Sequence, residues 1–457
     1  MTRGRALAGV VCSWILFFCA GSTRPVYDAN GYLEFAAVWL SGAVPWHQGR
    51  GYATGLVWVP ALAVARAANV EPYVGILLEG SFLMALLGWV ILPNLPSRTP
   101  SLWARITCTL LLWILWGPWA GLSMTDIPAV VALFGALLLL RQERHLHFLA
   151  SGLLVGLLYS LRPAYLLASA TLVLVTCLGL RGWRGLLLGG TLLTGVALTL
   201  APQGVLNVQY TQGWAEPRSF WPPTITAFAA LVELQVGGAS TVQRYETYLG
   251  GSGWPTPQLV ACDPGGRKLL ALTGGVPPKT ITQYMHLLAA DPILASGVLM
   301  RKVINAAWLD SRTPYIYDRA ARALWLGALN VALVGLALLF LSAHTQGNWI
   351  PLLIALAASA PVLYTAPEQR FMMALSLLGI AYCWPALRWI VWDAEWGTRG
   401  RVLAAVALLV GLASAVATVT DAWESSVYFP VGSKMSCLEL LSADTAARTS
   451  LVAPAAQ

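Results

Sequence analysis

The sequence predicts an all-α polytopic membrane protein of about eleven transmembrane helices, with interfacial helices in the first outer loop and an irregular ectodomain. Three observations predict it. Of 457 residues, 57% are hydrophobic and only 11% charged, against about 25% charged in an ordinary soluble domain. Such a chain cannot clothe a water-facing surface of its size. Eleven apolar runs follow one another along the chain, separated by loops rich in Arg, Gly and Pro. The arginines of those loops alternate in number as the chain crosses back and forth. Disorder is excluded by 21 Trp and 15 Tyr against so little charge. Seven Cys make no disulfide framework in a chain this long.

Arg3 and Arg5 precede the first run, Ala6 to Ala20. No A-x-A-like cleavage site follows, and Phe18 before Cys19 spoils a lipoprotein context, so the run reads as an uncleaved first helix with a cytoplasmic N-terminus. Residues 22–72 form the first outer loop. Within it, 31–42 and 54–68 are semi-apolar and short, which suits helices lying in the membrane interface. Further spans are expected over 73–92, 102–118, 127–140, 148–161, 164–180, 185–202, 323–342, 349–364, 371–391 and 402–419. An odd number of spans puts the C-terminus opposite the N-terminus.

The charge bias agrees with that orientation. Arg3, Arg5, Arg98, Arg105, Arg141, Arg144, Arg181, Arg184, Arg388, Arg399 and Arg401 share the cytoplasmic side. The short outer loops carry Arg162 and Arg370, and the first outer loop adds Arg24, Arg50 and Arg66. Long translocated segments do not vote in this count. The reading therefore divides the chain into a membrane module 1–202, an outer segment 203–322, a second membrane module 323–419 and an outer tail 420–457. The net charge of +8 fits cytoplasmic loop arginines and a site for an anionic substrate.

The outer segment is rich in turn-forming dipeptides, as in Trp221-Pro-Pro and Gly250-Gly-Ser-Gly-Trp254-Pro, so an irregular, partly helical structure is expected. Residues 280–310 read as helical, with Asp291-Pro292 at a helix start. Cys12, Cys19, Cys108, Cys177 and Cys383 fall in spans as packing residues. Cys262 and Cys437 are the two outside; they either form one disulfide in an oxidising compartment or are unrelated thiols.

The stretch after the first span runs Asp28-Ala-Asn-Gly-Tyr32-Leu-Glu34-Phe-Ala-Ala37-Val-Trp-Leu40-Ser-Gly42. Thr125-Asp126-Ile-Pro opens a later span, Leu161-Arg162-Pro163 closes the next, and Thr365-Ala-Pro-Glu368-Gln-Arg370-Phe371 opens a late one. Together these resemble the D-x-x-x-Y…A…L…G opening, the second outer loop, the Arg-Pro step and the E-x-R-[YF] loop of the GT-C superfamily glycosyltransferases. The likeness is to the protein O-mannosyltransferase and aminoarabinose-transferase kind, which take sugars from polyprenyl-phosphate carriers. It covers most of residues 1–200 and 285–390.

The resemblance implies an inverting transfer on the outer face of a bacterial inner or plasma membrane, with Asp28 as general base and Asp126 as a second catalytic acid. A carboxylate in hydrogen-bond reach takes the proton of an acceptor hydroxyl as that oxygen attacks the anomeric carbon. Positive charge is needed where the lipid phosphate departs, which singles out Arg162 and Arg370, then Lys302 and Arg301. Tyr32, Glu34, Glu368 and His286 complete the candidate substrate contacts, and His47 is a further loop histidine. Each has a plainer reading: Asp28 a solvated helix end, Asp126 a helix cap, Glu368 and Arg370 a mutual pair. Expected partners are the polyprenyl-phosphate sugar, a glycan, lipid or protein acceptor, and membrane lipids, with no nucleic acid.

Missing motifs narrow the classes. There is no Walker A loop and no D-x-D triplet; the nearest, Asp393-Ala-Glu395, lies on the cytoplasmic side. No His/Cys cluster has metal-ligand spacing. No cofactor is therefore assigned, and a divalent cation is left open. The rival readings are a glycan ligase using a lipid diphosphate, a lipid or sugar transporter, and an inactive partner subunit. Spans almost free of charge at mid-depth weigh against the transporter.

Overall fold

A long apolar run with few prolines satisfies its backbone only by bonding within itself, and all eleven runs fold as helix. The computed structural model describes residues 3–21, 28–44, 51–210, 242–248, 258–313, 315–316, 323–343, 349–365, 367–392 and 398–429. In it the runs become Arg3–Ala20, Pro72–Asn94, Leu102–Trp116, Asp126–Leu140, His145–Leu161, Leu166–Gly179 and Gly182–Tyr210, then Leu324–Ala343, Ile350–Ser359, Met373–Trp392 and Thr398–Glu424. Among the described residues, four helices are long and apolar enough to cross a membrane: Pro72–Asn94, Gly182–Leu206, Leu324–Ala343 and Gln369–Val391. Six others, among them Asp126–Leu140 and His145–Leu161, are apolar but shorter. The segment expected as the first outer loop carries helices among its described residues, as Asp28–Leu40, Ala53–Leu56 and Val59–Ala67.

The chain divides into two units. The first comprises Met1–Phe228, Leu333–Ala358 and Ala374–Trp396; the second Ala229–Ala332, Ser359–Met373 and Gly397–Gln457. In the first unit the helix Asp126–Leu140 is buried along most of its length, as expected of a helix apolar all round. The helices His145–Leu161 and Gly182–Tyr210 meet backbone to backbone. A Cβ on Gly152 would lie 2.1 Å from the Leu192 carbonyl oxygen, and one on Gly195 would lie 2.4 Å from that of Leu149. Small residues at such a seam let helices approach where no hydrophobic force between them is available. Ala36, Trp58, Ala61, Leu62 and Ile76 form a buried cluster against which Tyr32 packs, so the loop helices are seated on the helix Pro72–Ala85.

The second unit departs from the expected irregular ectodomain. It carries a four-stranded sheet in the order β3-β1-β2-β4, from β1 Val242–Tyr248, β2 Gln258–Cys262, β3 Tyr315–Ile316 and β4 Ser426–Phe429. β2 pairs antiparallel with β1 and with β4, and β3 joins β1 in parallel. The region expected as a tail from 420 onward is thus drawn in: the helix Thr398–Glu424 passes that point, and β4 completes the sheet edge. Helices Pro264–Leu272, Ile281–Ala290 and Pro292–Ala307 follow the first hairpin. Asp263, Thr280 and Asp291 cap them, each side chain accepting from backbone amides of the first turn. Asp291-Pro292 is a helix start, as the sequence indicates. Cys262 is disulfide-bonded, the five cysteines of the apolar runs are free, and Cys437 lies outside the described residues.

Candidate functional site

Asp28 is the first residue of the helix Asp28–Leu40, where a carboxylate favours the helix dipole. It is half-buried, Tyr32 one turn on is half-buried against the cluster beneath, and Glu34 is exposed. The start of this helix is pinned from outside: Ser123 Oγ donates to the Ala29 carbonyl at 2.5 Å. Ser123 is fully buried and stands three residues before Asp126, so the two acid-led helix starts are tied through one hydrogen bond.

Asp126 does not act as a cap; it opens its helix with its carboxylate fully buried and paired to the Arg162 guanidinium. The local fold explains the meeting. The helices Asp126–Leu140 and His145–Leu161 have 15 and 17 residues and are joined by a short turn. At ~1.5 Å rise per residue they are nearly equal in length, so the end of the second returns to the start of the first. Arg162 is 8% exposed. The cation expected at the membrane surface is instead committed to an internal pair, because a buried carboxylate demands one.

The second unit gathers Arg370, Glu368, Lys302 and His286. Glu368 and Arg370 form an ion pair, and Gln369 Nε2 between them donates to the Thr313 carbonyl at 3.0 Å. Glu368 also acts electrostatically on a group that sequence reading missed. Arg244 and Glu246 alternate onto one face of β1; both are buried, with Arg244 Nη2 3.0 Å from Glu246 and also bonded to Asp310. The Arg244 guanidinium stands 4.9 Å from the centroid of the Trp423 ring. Burial, helped by Asp310 and Glu368 and opposed by Arg244, pushes the Glu246 carboxyl up to about 8. The alternation Val242-Gln-Arg-Tyr-Glu-Thr-Tyr248 was the available signal for a strand.

Lys302 is fully buried, and its Nζ makes no hydrogen bond among the described residues. It lies 5.8 Å from the centroid of the Tyr284 ring. Asp263 is close enough to favour its charge but makes no hydrogen bond to it. That carboxylate accepts from the Gly265 and Gly266 amides at 2.7 and 3.0 Å and from Arg301 through two bonds of 2.8 Å. Burial therefore wins and lowers the Lys302 amine to about 7, while the bonds to Asp263 raise Arg301. His286 is exposed and lines a pocket of about 400 Å³ together with Lys279.

Asp28, Asp126, Arg162, Tyr32 and Glu34 thus belong to one unit, and Arg370, Glu368, Lys302 and His286 to the other. His47, Arg24, Arg50 and the Asp393-Ala-Glu395 pair lie outside the described residues. Among those described, no three His, Cys, Asp or Glu side chains gather as metal ligands. No protein-family profile matches the chain, and no curated protein matches it significantly.

Proposed function

We propose that the chain is an integral-membrane glycosyltransferase of about eleven spans that moves a sugar from a polyprenyl-phosphate donor to an acceptor hydroxyl on the outer face of the membrane. The observation that carries this reading is the contrast between two acids at tied helix starts. Asp126 is sealed inside an ion pair, whereas Asp28 is half-buried at the opening of its helix. Asp28 is the one that an acceptor hydroxyl can approach. Its carboxylate takes the hydroxyl proton while that oxygen bonds to the anomeric carbon, the bond from carbon to the phosphate oxygen breaks, and polyprenyl phosphate leaves with the electron pair. A single base opposite the leaving group gives inversion. Asp126 is recast as the partner that positions Arg162, so that this loop is held rather than reactive.

The test uses purified protein in nanodiscs with a panel of polyprenyl-phosphate sugars, following release of polyprenyl phosphate. Asp28→Asn is expected to lower the rate about a hundredfold to ten-thousandfold, the span of a general base. Equal release by wild type and variant moves the base to Glu34 or Asp126. No release from any donor, with acceptor extracts added, favours the transporter or the inactive subunit.

A further inference from the structure

The second unit carries a surface that the glycosyl-transfer reading does not use. Residues 264–290 contain no Asp or Glu, but do contain Arg267, Lys268, Lys279 and His286, all exposed. Large apolar side chains stand in water among them: Val276 is 65% exposed, Met285 59%, and Ile293 and Met300 on the next helix 86% and 60%. Bare apolar side chains interleaved with cations, with the half-buried Asp291 spent on capping the helix Pro292–Ala307, are the composition of a helix surface that rests on an anionic bilayer.

Three contacts, all between residues of this unit, fix the surface beside the ends of apolar helices. Tyr284 Oη donates to the Leu363 carbonyl at 2.7 Å, in the last turn of the apolar helix Ile350–Tyr364. Trp308, directly after the helix Pro292–Ala307, presses on Gly327 so closely that a Cβ there would lie 2.2 Å from the indole. Asn330 Nδ2 donates to the Ala307 carbonyl at 2.7 Å, and both Gly327 and Asn330 belong to the first turns of the membrane-crossing candidate Leu324–Ala343. Helices held at the ends of membrane helices lie at the level of lipid headgroups.

We propose that the helices Pro264–Leu272, Ile281–Ala290 and Pro292–Ala307 form a bilayer-resting face, and that its pocket holds the phosphate of an anionic phospholipid. The pocket of about 400 Å³ offers the Lys279 cation and the ring nitrogens of His286 above an apolar lining of Val276, Pro277, Pro278 and Leu287. That pairing suits an amphiphile, with phosphate at the cations and glycerol against the prolines. Gln283 Oε1 accepts from the Lys279 amide at 2.7 Å, so the loop that carries Lys279 is fixed to the helix that carries His286. The face depends on the membrane character of the chain and not on any transfer chemistry.

Hydrogen–deuterium exchange on the full chain in nanodiscs tests it, reading the amides of 276–290. Exchange is expected to be slower in discs containing phosphatidylglycerol than in phosphatidylcholine alone, the Lys279 charge contributing about fivefold to the lipid preference. Lys279→Gln with His286→Gln is expected to abolish the difference while exchange in β1 and β2 stays unchanged, since both residues are exposed. Equal exchange in the two lipids overturns the proposal, as does slowing that survives the double substitution. Slowing reproduced by inorganic phosphate in phosphatidylcholine discs would make the pocket a soluble-anion site. Slowing that follows the number of chains per disc would make the face an interface between copies. Either result also overturns it.

Discussion

The Asp126–Arg162 pair of the first unit and the Arg244, Glu246 and Asp310 group of the second bury similar chemistry in different proportions. Among the described residues, Arg162 pairs with Asp126 in the first, and Arg244 reaches both Glu246 and Asp310 in the second, with Glu368 in electrostatic reach. In the second, burial above all keeps a proton on Glu246, pushed up to about 8, with Asp310 and Glu368 helping and Arg244 opposing. The first arrangement is built to hold a loop, the second to respond to pH.

The largest effect that separates them is removal of the cation. Arg162→Ala leaves the Asp126 carboxylate buried with neither its ion-pair partner nor access to water. The expected loss is about 3–5 kcal/mol, seen as a fall in unfolding temperature in nanodiscs, with much of it regained in the double variant Asp126→Ala/Arg162→Ala. Arg244→Ala is expected to cost less at pH 6, where Glu246 already holds its proton, and more at pH 9. A cost of Arg244→Ala that does not change with pH would erase the distinction between the two groups.

How far these groups were legible in the sequence follows from sequence separation. The eleven helices are local and were readable from apolar runs, as was the helix start at Asp291-Pro292. Asp126 and Arg162 were each visible, one opening and one closing a helical hairpin, yet their meeting depends on the matched lengths of two helices. The sheet was harder. Gln258–Cys262 pairs on one side with a strand at 242 and on the other with one at 426, and no local pattern announces a partner that far along the chain. Arg244 finds Asp310 only once that sheet exists. Lys302 was visible as a cation but not as a buried one whose amine makes no hydrogen bond among the described residues, because that depends on Asp263, distant in sequence, turning its bonds to Arg301 and two amides.

A smaller effect tests the pH response itself. Between pH 4.5 and about 8 the folded chain holds a proton on Glu246 that the unfolded chain has released. Raising pH through that window therefore weakens the fold; the contribution is complete below 4.5 and gone above about 8. Lys302, lowered from 10.5 to about 7, works the other way, since between those values the unfolded chain holds the proton and rising pH strengthens the fold. The two cancel between about 7 and 8. Thermal unfolding of the full chain across pH 5 to 10 is expected to show a minimum there. Glu246→Gln should remove the acid-side descent, and Lys302→Met the alkaline rise. A profile unchanged in both variants would mean that neither group titrates in the folded chain.

The smallest expected effect bears on the first unit alone. Ser123→Ala removes the hydroxyl that bonds the Ala29 carbonyl and leaves that carbonyl without this donor, at about 0.5–1.5 kcal/mol. The balanced pair below it is untouched, so the hairpin that carries Asp126 and Arg162 should stay folded. What loosens is the start of the helix that begins at Asp28. If Asp28 is the base, the rate of polyprenyl-phosphate release should fall by about tenfold or less, mainly in kcat, while KM for the donor holds. A fall as deep as that of Asp28→Asn would mean that Ser123 itself touches the acceptor. No fall would mean that the Asp28 helix start is held by its own seat on Trp58 and Ile76, and that the tie between the two acid-led helix starts carries no catalytic burden.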